Sequence, residues 1–345
     1  GRADLRGTES AVFSQVVAAY LDVILNESLV GLSRTNVETL GINLEATSDR
    51  FEIGELTRTD VAQSQSRLAI AQGDLQSAQA NLIVARENYV ALIGSAPADL
   101  QAPPPLPGLP ADVSDAVLTA LENNPDLLAA QERAEAAGFD VKVAGAGRLP
   151  RLTAFSGGNY QTFLGTLAPG ADGQTAADAG LRLTIPLFQG GRVSAQQRQA
   201  QANKQAALEN LIATERGLIA QVRGAYSSWR ASLAIIESSR TAVDAASLSL
   251  EGVRAENSVG NRTILDILDA QQELLRAQVQ LVTAQRNAYV AGFSLLAAMG
   301  KAEARDLGLG QLGPLYDPID NYERVRGIVW DWQRDDDPVT QSPRS

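Results

Sequence analysis

The chain has 345 residues, with 40 acidic against 29 basic side chains, a formal net charge of −11, and neither cysteine nor histidine. This excludes Cys/His zinc sites, thiol catalysis, disulfides and histidine acid–base chemistry. The acidic balance argues against nucleic acid as a partner, because phosphate binding needs clustered Lys and Arg. No uninterrupted apolar run reaches the ~18–20 residues of a membrane-spanning helix, and Gly1–Arg6 does not read as a signal peptide.

The elements in chain order begin with one half of a duplication. Thr8–Gly94 superposes without a gap on Thr214–Gly300, at an offset of 206, with 27 of 87 positions identical. A repeat of this length sets the architecture before any local reading. The first copy, residues 1–95, reads as a long antiparallel helical hairpin. Val16, Val23, Val30, Val37, Leu44 and Phe51 recur every seven residues in its first arm. Leu68, Leu75, Leu82 and Tyr89 do so in the second, with Ala71, Ala78, Ala85 and Leu92 three residues later. A sustained seven-residue period is a coiled-coil seam. Each arm is expected to run ~40 residues, far beyond the ~11 of an ordinary globular helix.

Residues 96–148 read as a Pro-rich linker, 103–108, followed by a short Ala-rich helix from Asn124 to about Ala146, which Pro150 ends. Across 149–190, Leu152–Tyr160 and Leu181–Phe188 alternate as strands do, joined by a polar, Gly-rich loop over Gln161–Ala179. Two readings are open on this pattern: a transmembrane β-barrel hairpin, or a soluble hairpin capping a helical bundle. Either needs further partners, since a lone hairpin is barely stable. Residues 191–300 form the second hairpin, with Val222, Trp229, Ile236, Val243 and Leu250 on its first seam and Leu274/Ala277, Leu281/Ala284, Ala288/Ala291 and Leu295/Ala298 on its second. Trp229 is expected to be packing. Residues 301–345 read as a strap around the helices holding Tyr322, Trp330 and Trp332, with a membrane-interface belt as the alternative for these aromatics, then a disordered tail from Asp335.

The section 116–192 has a counterpart that would fall upstream of residue 1. The repeat therefore implies that roughly ninety or more residues of a first copy precede this chain, the difference between the offset and position 116. A leader would lie with them.

The tips of the two hairpins carry their own signals. Gly54 and Gly260 supply positive φ at the turn. Thr57-x-x-Asp60 and Thr263-x-x-Asp266 match capping boxes that open the returning helices. Asp269 aligns with Gln63, so the repeat does not demand it. It lies three residues after Asp266, hence on the same helix face. In a three-fold assembly the pair would set six carboxylates around an axis, an acidic ring of the kind that selects cations; the bland alternative is a solvated acid.

Asn124-Pro125-Asp126-Leu127, Leu149-Pro150, Ile185-Pro186-Leu187-Phe188-x-Gly190-Gly191-Arg192, the paired tips and Leu315-Tyr316-Asp317-Pro318 with Asn321-Tyr322 together resemble the outer membrane factors, the TolC-like channels of tripartite efflux pumps and type I secretion systems. The resemblance covers nearly the whole chain. It implies a mainly α fold with a small β part: long antiparallel coiled-coil hairpins forming a periplasmic α-barrel, plus strands of a trimeric outer-membrane β-barrel. It also implies a homotrimer in contact with outer-membrane lipid, a periplasmic adaptor protein as direct partner, and an inner-membrane transporter as indirect one. No cofactor, metal or catalytic residue is expected. The first strand pair of such a protomer is not in this chain. By the same resemblance the gate comprises Asp266, Asp269, Arg262, Asp60 and Thr59. Arg262 looks like the arginine that ties neighbouring hairpins shut, against Asp60 or Thr59, while Asn257 stands where relatives often carry a tyrosine. Adaptor contact falls on Gly54, Leu56, Thr57, Val259, Gly260 and Thr263. Three function classes follow: a passive exit duct, a coiled-coil adaptor without a channel, and an enzyme, for which no residue constellation exists.

Overall fold

The computed structural model describes residues 1–161, 174–308 and 318–328. In order the elements are α1 (Arg2–Glu52), α2 (Arg58–Ile93), α3 (Val113–Asn123), α4 (Pro125–Ala146), β1 (Arg151–Gln161), β2 (Gln174–Thr184), α5 (Arg192–Ser258), α6 (Ile264–Ala298) and α7 (Pro318–Val325). They divide into two compact units, 129–214 and the remainder.

In the larger unit, α1 packs against both α2 and α6. It therefore carries more than one buried stripe, including Val23 and Val30 on the expected seam and Asn36, Leu40 and Thr47 beside it. Alanines lie buried between the helices. Ala71 and Ala85 on α2, and Ala277 and Ala284 on α6, are buried. Leu68, Leu75, Leu274 and Leu281 are only half-buried. A methyl side chain at the seam lets backbones approach, and the longer side chains fill the flanks. The duplicated positions can also exchange chemistry without losing register. Thr47 and Ser64, each 1% exposed, are hydroxyls 3.4 Å apart in the first hairpin. The repeat places Val253 and Ala270 there in the second, and both pack on the apolar cluster of Leu40, Ala71, Leu250, Ile264, Ile267 and Leu268.

Several expectations need correction. The arms are unequal, with 51 and 36 residues in the first hairpin but 67 and 35 in the second; helix continues through α5 because nothing between Arg192 and Ser258 interrupts it. Phe51, placed on the seam by its spacing, is 42% exposed, because it sits in the last turn before the chain reverses. α1 is also long and apolar enough on average to pass as a membrane span by length and composition alone. Scattered polar residues break every strict apolar run, yet its average remains apolar because it has two helices to cover. The helix α3 lies within what reads as linker. Asp112 caps it, its carboxylate accepting from the Ser114 and Asp115 amides at 2.7 and 2.9 Å, and the Asp-x-x-Asp spacing was the available sign. Tyr322, expected in the strap, is 63% exposed on α7. Leu315–Asp317, Trp330, Trp332 and the acidic tail lie outside the described residues.

The ends of α1, α3, α4 and α6 meet in a joint that accounts for the Asn-Pro-Asp-Leu signature. Asn124 accepts from the Asp126 and Leu127 amides at 3.0 and 3.1 Å and so caps α4. Its amide nitrogen donates to the Ala298 carbonyl at 2.9 Å, satisfying the end of α6. Glu303, only 3% exposed, accepts from Arg6 Nε at 2.6 Å. Gly300 has φ +70°, and a Cβ there would stand 2.4 Å from the Asn123 carbonyl oxygen.

In the smaller unit, β1 and β2 pair antiparallel, Arg151 opposite Thr184 through Gln161 opposite Gln174. The second strand begins seven residues earlier than its alternation suggests, at Gln174, and ends at Thr184 rather than Phe188. Backbone pairing with β1 recruits Gln174–Ala179 from what reads as loop, and Pro186 cannot extend the ladder; residues 162–173 of that loop lie outside the described residues. The two faces separate by chemistry. Leu152/Leu183, Ala154/Leu181, Ser156/Ala179 and Gly158/Ala177 share one face, while Thr153/Arg182, Gly157/Asp178, Asn159/Ala176 and Gln161/Gln174 share the other. Both faces are exposed over almost the whole hairpin. Phe155 lies over Gly180 on the polar side, and Arg182 sits 5.3 Å from its ring centroid.

The joint yields a comparison between repeat-related glycines. Gly94 has φ +85° and open space around it, whereas Gly300 is also pressed against Asn123. Gly94→Ala should cost about 1–2 kcal/mol, from the left-handed backbone alone. Gly300→Ala should cost clearly more, because the Asn123 carbonyl must also move. Thermal unfolding of the two variants checks this, and equal shifts would count against the close approach.

Candidate functional site: the paired hairpin tips

Each hairpin reverses through a glycine in the left-handed region, Gly54 at φ +84° and Gly260 at φ +83°. Open space surrounds both, so the backbone conformation alone calls for glycine. Helix then restarts from a complete capping box. Thr57 N–H and Oγ1 donate to Asp60 Oδ2 at 2.9 and 2.7 Å, and the Asp60 amide donates back to Thr57 Oγ1 at 3.3 Å. Thr263 and Asp266 reproduce these contacts at 2.8, 2.7 and 3.3 Å. The caps hold both carboxyls below the ordinary range: Asp60 chiefly through the Thr57 amide, then its hydroxyl; Asp266 chiefly through the Thr263 hydroxyl, then its amide.

Outside the caps the tips differ. In the first, Arg50 donates through Nε to Glu55 at 3.0 Å. In the second, Arg262 donates through Nε to Glu256 at 2.7 Å, with Asp266 3.8 Å from its Nη1. Within the chain Arg262 is thus held by its own hairpin, and among the described residues it does not reach Asp60 or Thr59. Asn257 donates to the Arg262 carbonyl at 2.6 Å and accepts from Arg50 Nη1 at 3.5 Å, and so links the two tips.

Two further contacts join the hairpins behind the tips. Asn43 Nδ2 donates to the buried Gln271 at 2.9 Å, and Arg67 Nη2 donates to Asp269 Oδ1 at 2.6 Å. Asp269 does stand exposed, with 66% of its side chain accessible, but it is not a lone acid beside Asp266. Sequence reasoning missed Arg67: 202 residues separate the partners, and no local spacing marks a contact of that range. Of the predicted adaptor-contact residues, Gly54, Thr57, Val259, Gly260 and Thr263 are exposed at the turns and Leu56 is half-buried.

Long antiparallel hairpins with capped tips, and a β-hairpin apolar on one face and polar on the other, are the parts of a protomer of a helical-barrel outer-membrane channel. Residues 117–301 match the family described as Outer membrane efflux protein. Outer membrane efflux protein BepC of Brucella suis biovar 1 (strain 1330) is 35% identical over 327 residues, 94% of this chain and 70% of its own length. Outer membrane protein TolC of Escherichia coli (strain K12) is 28% identical over 318 residues, 87% of this chain and 63% of its own. The crystal structure of the outer membrane protein VceC from Vibrio cholerae superposes with a TM-score of 0.70 at 24% identity, over 87% of this chain and 72% of that one. The chain belongs to the outer membrane efflux protein family. That membership makes it an outer-membrane protein with helices extending into the periplasm. The chain spans 63–70% of the length of these two sequence relatives.

Because the caps depress both aspartate pKa values, they stabilise the folded tips fully above the unfolded carboxylate value of ~3.9. That contribution is lost as pH falls through the lowered folded values. Hydrogen-exchange protection of the first turns of α2 and α6, relative to the intrinsic rate at each pH, should therefore fall only below about pH 4. Thr57→Ala should remove about 1 kcal/mol of local protection at neutral pH and flatten the acid response at that tip.

Proposed function

We propose that the chain is the greater part of one protomer of a trimeric exit duct, a passive conduit for a tripartite efflux pump or type I secretion system. The observation that carries this reading is the β-hairpin. Its faces divide into Leu152, Leu181 and Leu183 on one side and Thr153, Asp178 and Arg182 on the other, as a strand pair between lipid and an aqueous lumen requires. In lipid every strand edge must be paired. A single β1–β2 pair therefore calls for neighbouring strands from beyond this pair.

The helical hairpins form the periplasmic wall, and the tips form its inner end. Gly54, Leu56, Thr57, Val259, Gly260 and Thr263 present the turn surfaces to a periplasmic adaptor, through which an inner-membrane transporter supplies the energy. Arg262, Asp266, Asp269, Asp60 and Thr59 make up the gate region. The duct does no chemistry. The ion pairs at the tips are exposed and so individually weak, worth ~0–1 kcal/mol each, which suits a closure that must open.

The full-length protein in planar bilayers should form trimeric, ion-conducting channels; a monomer without conductance would instead favour an adaptor-like scaffold. Arg262→Ser releases Glu256 and one contact of Asp266, and should raise conductance by up to about fivefold, the factor that ~1 kcal/mol sets. Unchanged single-channel behaviour in that variant would remove Arg262 from the gate.

A further inference from the structure

We infer that Arg67 is a selectivity-determining residue of the duct: it is the counter-ion of Asp269, and the tip is less cation-selective than its aspartates imply. The inference rests on the channel reading above and concerns charge at the same tip.

Asp269 Oδ1 lies 2.6 Å from Arg67 Nη2, with 66% of the acid and 37% of the base exposed. The pair joins α2 to α6, so both side chains are anchored on helices rather than on a mobile turn. It is a product of divergence between the repeats. Gln63 occupies the position equivalent to Asp269, and Glu273 the position equivalent to Arg67. Neither half of the pair has its partner type in the other copy, so the duplication itself cannot supply the contact.

A lone carboxylate acts on a passing ion as a monopole. A carboxylate in contact with a guanidinium acts as a short dipole, whose field falls off faster with distance. Ion permeation thus senses little of Asp269 while Arg67 is present. Asp266 is already engaged by Thr263 at 2.7 Å and approached by Arg262 at 3.8 Å. Arg67 therefore sets the sign of what remains at position 269. Deleting the base uncovers a carboxylate, and deleting the acid uncovers a guanidinium.

The test is a double-mutant cycle on the full-length channel. Reversal potentials are measured in a potassium chloride gradient near 0.1 M, where the screening length is ~10 Å. Arg67→Gln should raise the potassium-over-chloride permeability ratio roughly two- to threefold, the effect of one unscreened charge several ångströms from the ion path. Asp269→Asn should lower the ratio by a similar factor, and the double variant should return close to the parent. Arg67→Lys, which keeps the charge, should leave the ratio at the parent value. If Asp269→Asn lowers the ratio while Arg67→Gln leaves it unchanged, Asp269 acts as a free acid and the inference is overturned. If Arg67→Gln raises conductance without altering the ratio, Arg67 is a mechanical latch and not a counter-ion, which also overturns it. A parent protein that conducts no ions sinks the channel reading, and this inference with it; a conducting parent with a flat cycle sinks only the inference.

Discussion

Register between very long helices is the constraint on which the rest of this molecule depends. Two helices of 35 residues or more can slide past each other by a heptad and still find apolar partners, because their seams repeat. Alanines such as Ala71, Ala85, Ala277 and Ala284 allow close approach but do not by themselves choose one register. The ends choose it. At one end, a left-handed glycine and a capping box force the chain to reverse at a defined residue. At the other, Gly300 presses against Asn123, while Asn124 ties the start of α4 to the end of α6 and Arg6 meets the buried Glu303. With both ends set, the seam between them has one alignment.

The duplication can then be read as a mould rather than a pair of copies. Local geometry survives wherever backbone conformation demands it, at Gly54 and Gly260 and at the two Thr-x-x-Asp caps. Chemistry drifts wherever only volume is demanded. Thr47 and Ser64 touch through hydroxyls in one hairpin, and the equivalent Val253 and Ala270 pack on an apolar cluster in the other. At the tips this drift produces asymmetry: Arg262 of the second hairpin is held by its own Glu256, whereas Asp269 of the same hairpin is held by Arg67 of the first.

The exposed apolar side chains have the same origin. Ile42, Ile70, Ile83 and Leu248 are all more than half exposed, and Leu68, Leu75, Leu274 and Leu281 are only half covered. A helix packed over only part of its circumference leaves a face open, and under the trimeric reading proposed above a neighbouring protomer would cover it. The β-hairpin follows the same logic, since its edges and both its faces are complete only when other strands and two different solvents surround it.

Much of this was legible in the residues alone. The repeat, the capped tips, the α4 start and the two-faced strands depend on spacing within a few positions or on a fixed offset, and both survive without coordinates. The length of α5, the true start of β2 and the helix α3 were not legible, because propagation along a helix and pairing with a neighbouring strand override local pattern. The partner of Asp269 belonged wholly to the tertiary structure, whereas Arg262 meets Glu256 only six residues away. Sequence identified Asp269 as an acid the repeat did not require; only the packing of α2 beside α6 could show that Arg67 had come to meet it, because a contact across 202 residues is fixed by how helices are held and not by any interval along the chain.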